Sequence, residues 1–193
     1  MNESDRGVAG VVLAAGESQR FGGENKLLAP IDGTPIVRRA VDALLETTVD
    51  PVLVVIGHEA DRVEDALAGR PVTFVCNPAY REGQATSVRA AVQAMPEGVA
   101  AAVFALGDMP FVAPSSIEAL LVAYHGGEGT ALAAAYQGRR GNPVLFDRVH
   151  FDTLENLEGD IGGRELLERE GTLVETDDPG VKRDIDRPEE LPE

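Results

Sequence analysis

The sequence contains a single cysteine and no long apolar segment, and both absences restrict what the chain can be. Cys76 is the only cysteine, so no disulfide can form within the chain. Because it ends the apolar run VTFVC, we expect it to be a small buried side chain. The apolar runs are too short to cross a bilayer, and the polar start MNESDRG is followed by no signal-peptide core. These features predict a cytoplasmic protein.

Positive charge is also scarce. The chain has 17 basic and 33 acidic residues, for a net charge of −16. A surface of this sign repels nucleic acid and anionic membranes, so neither is an expected partner. Only Lys26 and Lys182 are lysines, and the other basic residues are arginines. We expect a halophilic source, because concentrated salt screens the repulsion within an acidic surface. The three histidines share no metal-ligand spacing, so no zinc site is expected.

Short apolar runs alternate with amphipathic stretches along all 193 residues, which we interpret as one domain spanning 1–193. The pattern predicts a parallel sheet covered by helices on both faces. Ligands of such sheets bind outside the carboxyl ends of the strands, so loops 14–26, 77–87 and 107–112 should converge on one crevice. The predicted strands are 7–16, 51–57, 71–76, 99–108, 130–136, 142–146 and 171–176, and the predicted helices are 35–46, 60–69, 85–95, 114–124, 149–157 and 161–170.

The first of these loops is glycine-rich and carries two cations, Arg20 and Lys26. It matches neither the P-loop pattern nor the dinucleotide-binding pattern G-x-G-x-x-G. Its small residues let backbone N–H groups approach an anion closely, and its two cations could engage phosphate oxygens. The alternative is a surface turn in which the glycines only bend the chain. The loop alone leaves both interpretations open.

The stretch LAAGESQRFGGENKLL resembles the signature of the MobA-like nucleotidyltransferases, and among them that of the molybdenum cofactor cytidylyltransferases. The similarity continues through NPAYREGQATSVRAAV, ALGDMPFV, GRRGNPVLF, GDIGGRELL and DIDRPEEL. The resemblance implies a Rossmann-like three-layer α/β/α fold with a mostly parallel sheet, of the nucleotide-diphospho-sugar transferase type. It also implies Mg²⁺-dependent transfer of CMP from CTP to the terminal phosphate of molybdopterin, with release of pyrophosphate.

The same resemblance assigns roles to charged residues. Arg20 would hold the β- and γ-phosphates, Lys26 would stabilise charge on the α-phosphate, and Asp108 would bind Mg²⁺. Asp108 could instead be a turn or helix-capping residue. Strand alternation would place Asp184 and Asp186 on one face, with Asp184 matching the family's second metal position. Asp186 is a further metal candidate, or it could cap the helix that follows it.

A third group of residues is implied to bind the base of the nucleotide. Guanylyl-transferring relatives commonly have a second glycine where this chain has Ala15, and the extra methyl should narrow the slot and favour a pyrimidine. Ser87 could alternatively be a helix-opening residue without a ligand. The implied nucleotide-binding residues, besides Lys26, are Leu13, Ala14, Ala15, Gly16, Asn77, Gly83 and Ser87.

The acceptor side resembles the family less closely. Asn142 stands where cytidylyltransferase relatives commonly have histidine, and it is an acceptor-binding candidate together with Asp160 and Arg164. Asp160 and Arg164 could also simply cap the helix that follows them. A molybdoenzyme is the implied recipient of the product.

Three alternative functions follow from the same motifs. One is transfer from GTP to molybdenum cofactor or another phosphorylated small molecule, and a second is transfer to a sugar or polyol phosphate. The third is a binding protein without turnover, which we would expect to have lost Lys26 or Asp108. Both residues are present.

Overall fold

The computed structural model describes residues 7–157 and 163–192, and a seven-stranded sheet runs through its centre. The strands are β1 (Val8–Ala14), β2 (Pro30–Ile31), β3 (Thr34–Pro35), β4 (Val52–Ile56), β5 (Thr73–Cys76), β6 (Ala101–Leu106), β7 (Ala131–Tyr136), β8 (Arg139–Asp147) and β9 (Thr172–Glu175). The helices are α1 (Ile36–Leu45), α2 (Ala60–Ala66), α3 (Gln84–Gln93), α4 (Pro114–His125), α5 (Phe151–Glu155) and α6 (Arg164–Glu170).

The strand order is β5-β4-β1-β6-β8-β7-β9, and only β8 runs against the others. After β1 the chain adds β4 and β5 on one side, and it then crosses to place β6 on the other. Adjacent strands that lead away in opposite directions leave a crevice between their carboxyl ends. Leu13 of β1 pairs with Leu106 of β6, so the two strand ends are level. The fold therefore places the loops after β1 and β6 side by side.

Both faces of the sheet are buried, which explains the continuous apolar runs in the sequence. Val12 belongs to a core cluster with Leu44 and Leu120 of α1 and α4, whereas its neighbour Val11 belongs to a second cluster with Val88 and Leu154 of α3 and α5. Each buried valine or leucine contributes about 1.5–3 kcal/mol to stability. The prediction of a Rossmann-like three-layer α/β/α fold with a mostly parallel sheet is confirmed.

Three local predictions were wrong. We expect Thr34 and Pro35 from the sequence to be the N-cap and first residue of the helix over 35–46, but they form a two-residue strand against β2, and α1 starts at Ile36. Cys76 is exposed, because β5 is the outermost strand and its end is not covered. Residues 184–186 belong to no strand, although Ile185 is buried between the two more exposed aspartates. In the described ranges, no helix is long and apolar enough to span a membrane.

Candidate active site

Two adjacent cavities open at the carboxyl ends of β1 and β6, and they share a wall formed by Leu13, Gln84 and Leu106. The glycine-loop cavity, of about 440 Å³, is lined by residues 13–19 with Lys26, Asp108 and the start of α3. The β8 cavity, of about 410 Å³, is lined by residues of β8, α6 and the segment 181–184. The crevice predicted from strand order is therefore a two-part cleft.

Buried polar contacts shape the glycine-rich loop. Asn25 is only 3% exposed, and its Oδ1 accepts hydrogen bonds from Leu27 N (3.1 Å) and Ser18 Oγ (3.3 Å). Ser18 Oγ in turn accepts from Lys26 N at 3.1 Å. These bonds fix the backbone on both sides of Lys26, at the start of the 3-10 turn Lys26–Leu28. Asn25 was not among the residues predicted from the sequence, although an asparagine directly before a turn is a common cap.

A small apolar cluster anchors the loop to a distant part of the chain. Phe21 and Ile185 pack together with Ile31 and Ile36, separately from the two main core clusters. Phe21 directly follows Arg20, and Ile185 separates Asp184 from Asp186. Burial of these two apolar side chains therefore brings the cationic loop and the acidic segment into contact.

Lys26 lies between two carboxylates. Its Nζ is 2.7 Å from Asp108 Oδ2 and 2.7 Å from Asp186 Oδ1. Arg20 Nη1 donates to the other oxygen of Asp186 at 2.8 Å. An ammonium has three N–H donors, so two are used here and one remains for another acceptor. The predicted catalytic residues Lys26, Arg20 and Asp108 thus lie in one hydrogen-bonded group.

Burial and charge act against each other in this group. Burial alone would lower the pKa of Lys26, but the carboxylates of Asp108 and Asp186 outweigh it and raise that pKa. Burial raises the pKa of Asp108, and the charge of Asp184 raises it further. The ammonium of Lys26 lowers this pKa but does not outweigh burial. Hydrogen bonding to Lys26 lowers the pKa of Asp186. Burial therefore dominates the pKa of Asp108, whereas hydrogen bonding dominates that of Asp186.

The alternative capping roles considered for Asp108 and Asp186 are filled by other residues. Asp178 Oδ2 accepts from Ala113 N and from Ser116 Oγ, both at 2.8 Å, at the start of α4. Glu190 accepts from the backbone N–H groups of Asp186 (2.7 Å) and of the following residue. The carboxylates of Asp108 and Asp186 are thereby left to face Lys26.

The acidic segment is held against the loop that follows β6. Ile185 N donates to the backbone oxygen of Asp108 at 2.9 Å. The guanidinium of Arg183 lies 3.9 Å from the centre of the Phe111 ring, an arrangement typical of a cation–π contact. These contacts set the positions of Asp184 and Asp186 without a regular strand.

Gly141 allows the turn Pro179–Lys182 to approach β8, and we expect Gly141→Ala to be strongly destabilising. A Cβ at this position would lie 2.1 Å from Val181 O, so the backbone would have to move. The expected loss in unfolding free energy is about 2–3 kcal/mol, measured by urea denaturation. Gly7→Ala is the matched control, because its Cβ would meet nothing closer than 3.6 Å. Equal stability of the two variants would contradict the close approach seen here.

The residues implied to bind the base lie at different depths. Gly16, Gly83 and Ser87 line the glycine-loop cavity. Asn77 does not line it, and its Nδ2 instead donates to Thr86 Oγ1 and Ser87 Oγ, both at 2.9 Å. Asn77 therefore positions Ser87. Ser87 does not open the helix, because α3 begins at Gln84.

Ala14 and Ala15 line the same cavity but are 1% and 4% exposed. Ala15 belongs to the core cluster that contains Val88, so its methyl group fills space where the cavity wall meets the core. The residues offer the cavity mainly their backbone.

Other charged residues at the glycine-loop cavity had not been predicted. Glu17 accepts from Arg81 Nε at 3.0 Å and from Gln19 Nε2 at 3.1 Å. The Arg81 guanidinium also lies 5.4 Å from the centre of the Tyr80 ring. Glu17 and Arg81 thus connect the loop after β1 with the loop after β5 across the cavity. The sequence predicted that these two loops converge, but not which side chains join them.

The β8 cavity has an apolar floor and a polar rim. Phe104, Val144 and Phe146 are among its floor residues, with the two phenyl rings 6.0 Å apart. The predicted acceptor residues Asn142 and Arg164 both line the cavity. Asp160, the third candidate, lies outside the described residues.

The donor set near Lys26 fits a magnesium ion that arrives with a triphosphate. Asp108 Oδ1 is buried, and within the described parts of the chain it has no hydrogen-bond partner. No cluster of three or more histidine, cysteine or acidic side chains suited to a metal occurs in those parts. Mg²⁺ is commonly held by one or two carboxylates with substrate phosphates and water. Asp108 with Asp184 matches that requirement.

Comparisons with known proteins identify the family of this chain. The family model described as MobA-like NTP transferase domain matches residues 10–174. The purine catabolism protein PucB of Bacillus subtilis (strain 168) is 32% identical over 194 residues, covering 94% of this chain and 92% of that protein. The bifunctional protein GlmU of Listeria welshimeri is 33% identical over 171 residues, covering 86% of this chain. This chain spans about a third of the length of GlmU, of which 35% is covered.

The fold also matches a solved structure of a mycobacterial protein. Rv0371c from Mycobacterium tuberculosis H37Rv superposes with a TM-score of 0.82 and 28% identity, covering 96% of this chain and 95% of that one. A second structure, Rv0371c in complex with manganese, gives a TM-score of 0.71 and 25% identity, covering 89% of each chain. The chain therefore belongs to the MobA-like NTP transferase family.

Proposed function

We propose that the protein transfers CMP from CTP to the terminal phosphate of a molybdopterin-type pterin in the cytoplasm, in a Mg²⁺-dependent reaction that releases pyrophosphate. The observation that carries this proposal is the position of Lys26, which lines the glycine-loop cavity and is held between Asp108 and Asp186. A molybdoenzyme would receive the product.

The reaction requires alignment and charge stabilisation more than covalent catalysis. An oxygen of the acceptor phosphate attacks the α-phosphorus, the bond from that phosphorus to the bridging oxygen of the β-phosphate breaks, and pyrophosphate leaves. The acceptor phosphate is already ionised at neutral pH, so no general base is needed. Lys26 directs its third N–H at an α-phosphate oxygen and stabilises the charge that develops there. Arg20, whose side chain is 73% exposed, has donors left over for the β- and γ-phosphates.

Asp108 and Asp184 are the residues that would hold Mg²⁺, which would neutralise the triphosphate when bound. Both oxygens of Asp186 already accept hydrogen bonds, from Lys26 and from Arg20. Asp108 has a buried oxygen without a partner among the described residues, and Asp184 lies near enough to affect its pKa. Asp186 would then position the two cations. The manganese found in Rv0371c supports a divalent ion in this fold.

The shape of the cavities supports the proposed acceptor but does not decide the base. The preference for a pyrimidine rests on the resemblance alone, because the methyl group of Ala15 packs into the core beside the glycine-loop cavity and leaves the cavity mainly its backbone. A flat pterin ring suits the apolar floor of the β8 cavity, whereas a sugar would need polar partners across that floor. The basic residues on its rim suit a phosphorylated acceptor.

The proposal can be tested by thermal unfolding in molar KCl with Mg²⁺ and each NTP in turn. CTP at 100 times its Kd should add about 2.7 kcal/mol to the unfolding free energy, and GTP at the same concentration should add less. Pyrophosphate release with molybdopterin then tests the acceptor. Stronger stabilisation by GTP would contradict the cytidylyl assignment. Binding of CTP without pyrophosphate release with any phosphorylated pterin would favour a binding protein.

A further inference from the structure

Both lysines of the chain line the cleft. Lys26 lines the glycine-loop cavity, and Lys182 lines the β8 cavity. All other basic residues are arginines. A lysine differs from an arginine in carrying its charge as a compact ammonium with three rotatable donors. The cleft therefore contains two lysine ammonium groups, one in the glycine-loop cavity and one in the β8 cavity.

The β8 cavity is locally basic in an acidic protein. Arg140, Arg164 and Lys182 line it, against Asp184 as the only acidic residue of its described lining. A chain with 33 acidic and 17 basic residues would on average place more acids than bases around a cavity. The reversal indicates an anionic ligand.

Lys182 is the least neutralised of these three cations. Its Nζ donates to the uncharged backbone oxygen of Arg140 at 2.7 Å, and no ion pair with a carboxylate of the described residues holds it. Arg164, by contrast, pairs with Glu168 at 2.8 Å, and Arg140 also interacts with the Glu168 charge. Lys182 thus keeps its charge and its remaining donors for a ligand.

The position of Lys182 is fixed by the fold. It ends the turn Pro179–Lys182, which packs against Gly141 so closely that no side chain fits there. Asp184 lines the same cavity two residues later, and Ile185 N then donates to the backbone oxygen of Asp108 at 2.9 Å. A group bound by Lys182 would lie in the β8 cavity next to the reacting phosphates.

We propose that Lys182, supported by Arg140, binds the attacking phosphate of the acceptor, so that this dianion lies between Lys182 and Lys26. This inference rests on the proposed function and deepens it, because it makes a phosphate monoester the required part of the acceptor. In this arrangement Lys26 binds the α-phosphate of the nucleotide, and Lys182 binds the attacking phosphate of the acceptor.

The test compares two probes, 6-hydroxymethylpterin and its phosphate monoester, by fluorescence titration in the presence of Mg²⁺ and a non-hydrolysable CTP analogue. The wild type should bind the phosphate ester at least about tenfold more tightly, since a charge-assisted contact to phosphate is among the stronger hydrogen bonds. Lys182→Met should remove most of that preference while leaving the affinity for the unphosphorylated pterin within twofold. Lys182→Arg should restore part of it.

Arg169→Met is the matched control, because it removes a cation that is paired with Glu170 outside both cavities. It should keep the full preference. Unchanged preference in Lys182→Met, or no preference in the wild type, would overturn the inference. A merely structural role would instead weaken both pterins and the nucleotide together, and this result would overturn it as well.

Failure of the proposed acceptor can be told apart from failure of this inference. If the wild type binds neither pterin, the pterin assignment is wrong, and inorganic phosphate becomes the probe. In equilibrium dialysis with the glycine-loop cavity filled by the nucleotide analogue, phosphate should then bind the wild type and Lys182→Arg but not Lys182→Met. Equal binding by all three would show that Lys182 has no anion-binding role.

Discussion

Replacing Lys26 with methionine should lower turnover by about a thousandfold, the effect expected when a preorganised donor to a developing anion is lost. Methionine preserves the length and the apolar stem of lysine but has neither the charge nor the donors. The KM for CTP should change much less, because Arg20 and the bound metal would still hold the outer phosphates. Pyrophosphate release from the nucleotide that best stabilises the wild type measures both quantities.

The protein should still fold after this substitution. Without Lys26, Asp108 can take up a proton, since burial already raises its pKa, and no unpaired charge then remains in the interior. We expect a loss of about 1–2 kcal/mol in unfolding free energy, within the usual range for a single substitution. Circular dichroism and thermal unfolding check this point. A Lys26→Met protein that is folded and keeps more than a tenth of wild-type turnover would exclude Lys26 from catalysis.

Two further variants, Lys26→Arg and Arg169→Met, test whether the loss of turnover is specific to the ammonium group of Lys26. Arginine retains the charge, but its planar fork does not replace an ammonium held at 2.7 Å from two separate carboxylates. We therefore expect activity between that of the wild type and that of Lys26→Met. Arg169→Met should have wild-type kinetics, because its exposed ion pair lies outside both cavities. A loss in that control would indicate a general sensitivity to lost positive charge.

The sequence was sufficient to predict the sheet and the location of the cleft, because both depend on local patterns. Continuous apolar runs are typical of strands buried on two faces, and every helix between them has an apolar side. Once parallel strands were assumed, the loops after β1 and β6 had to meet. The basic loop was identified from its glycines and its two cations, and the role of Asp108 from its place at the end of a predicted strand together with the resemblance to the MobA-like family.

Contacts between residues far apart in the chain could not be predicted from local sequence patterns. The bond between Lys26 and Asp186 spans 160 residues, and it depends on the packing of Phe21 against Ile185 in a small separate cluster. Strand alternation was assumed for Asp184 and Asp186, whereas contacts with the loop after β6 hold this segment in place. Cys76 was misplaced for a related reason, since an apolar run does not reveal whether its strand lies at the edge of the sheet.

Replacing Asp108 with asparagine should also lower turnover by at least about a hundredfold, and it should separate a metal-binding role from a structural one. Asparagine is a poor ligand for Mg²⁺, so the Mg²⁺ concentration for half-maximal activity should rise. The folded protein should be no less stable, because the substitution removes a buried charge that has one oxygen without a partner among the described residues. A structural aspartate would behave in the opposite way, with lower stability and an unchanged Mg²⁺ requirement.

The Mg²⁺ concentration for half-maximal activity also distinguishes the role of Asp184 from that of Asp186. Asp184→Asn should shift the Mg²⁺ requirement as Asp108→Asn does, because Asp184 is the second ligand in our proposal. Asp186→Asn should instead lower turnover at an unchanged Mg²⁺ requirement, since Asp186 holds Lys26 and Arg20 through its two oxygens. If Asp186→Asn shifts the Mg²⁺ requirement and Asp184→Asn does not, the two roles must be exchanged. That outcome would mean that Lys26 and Arg20 release Asp186 when the nucleotide and its metal bind.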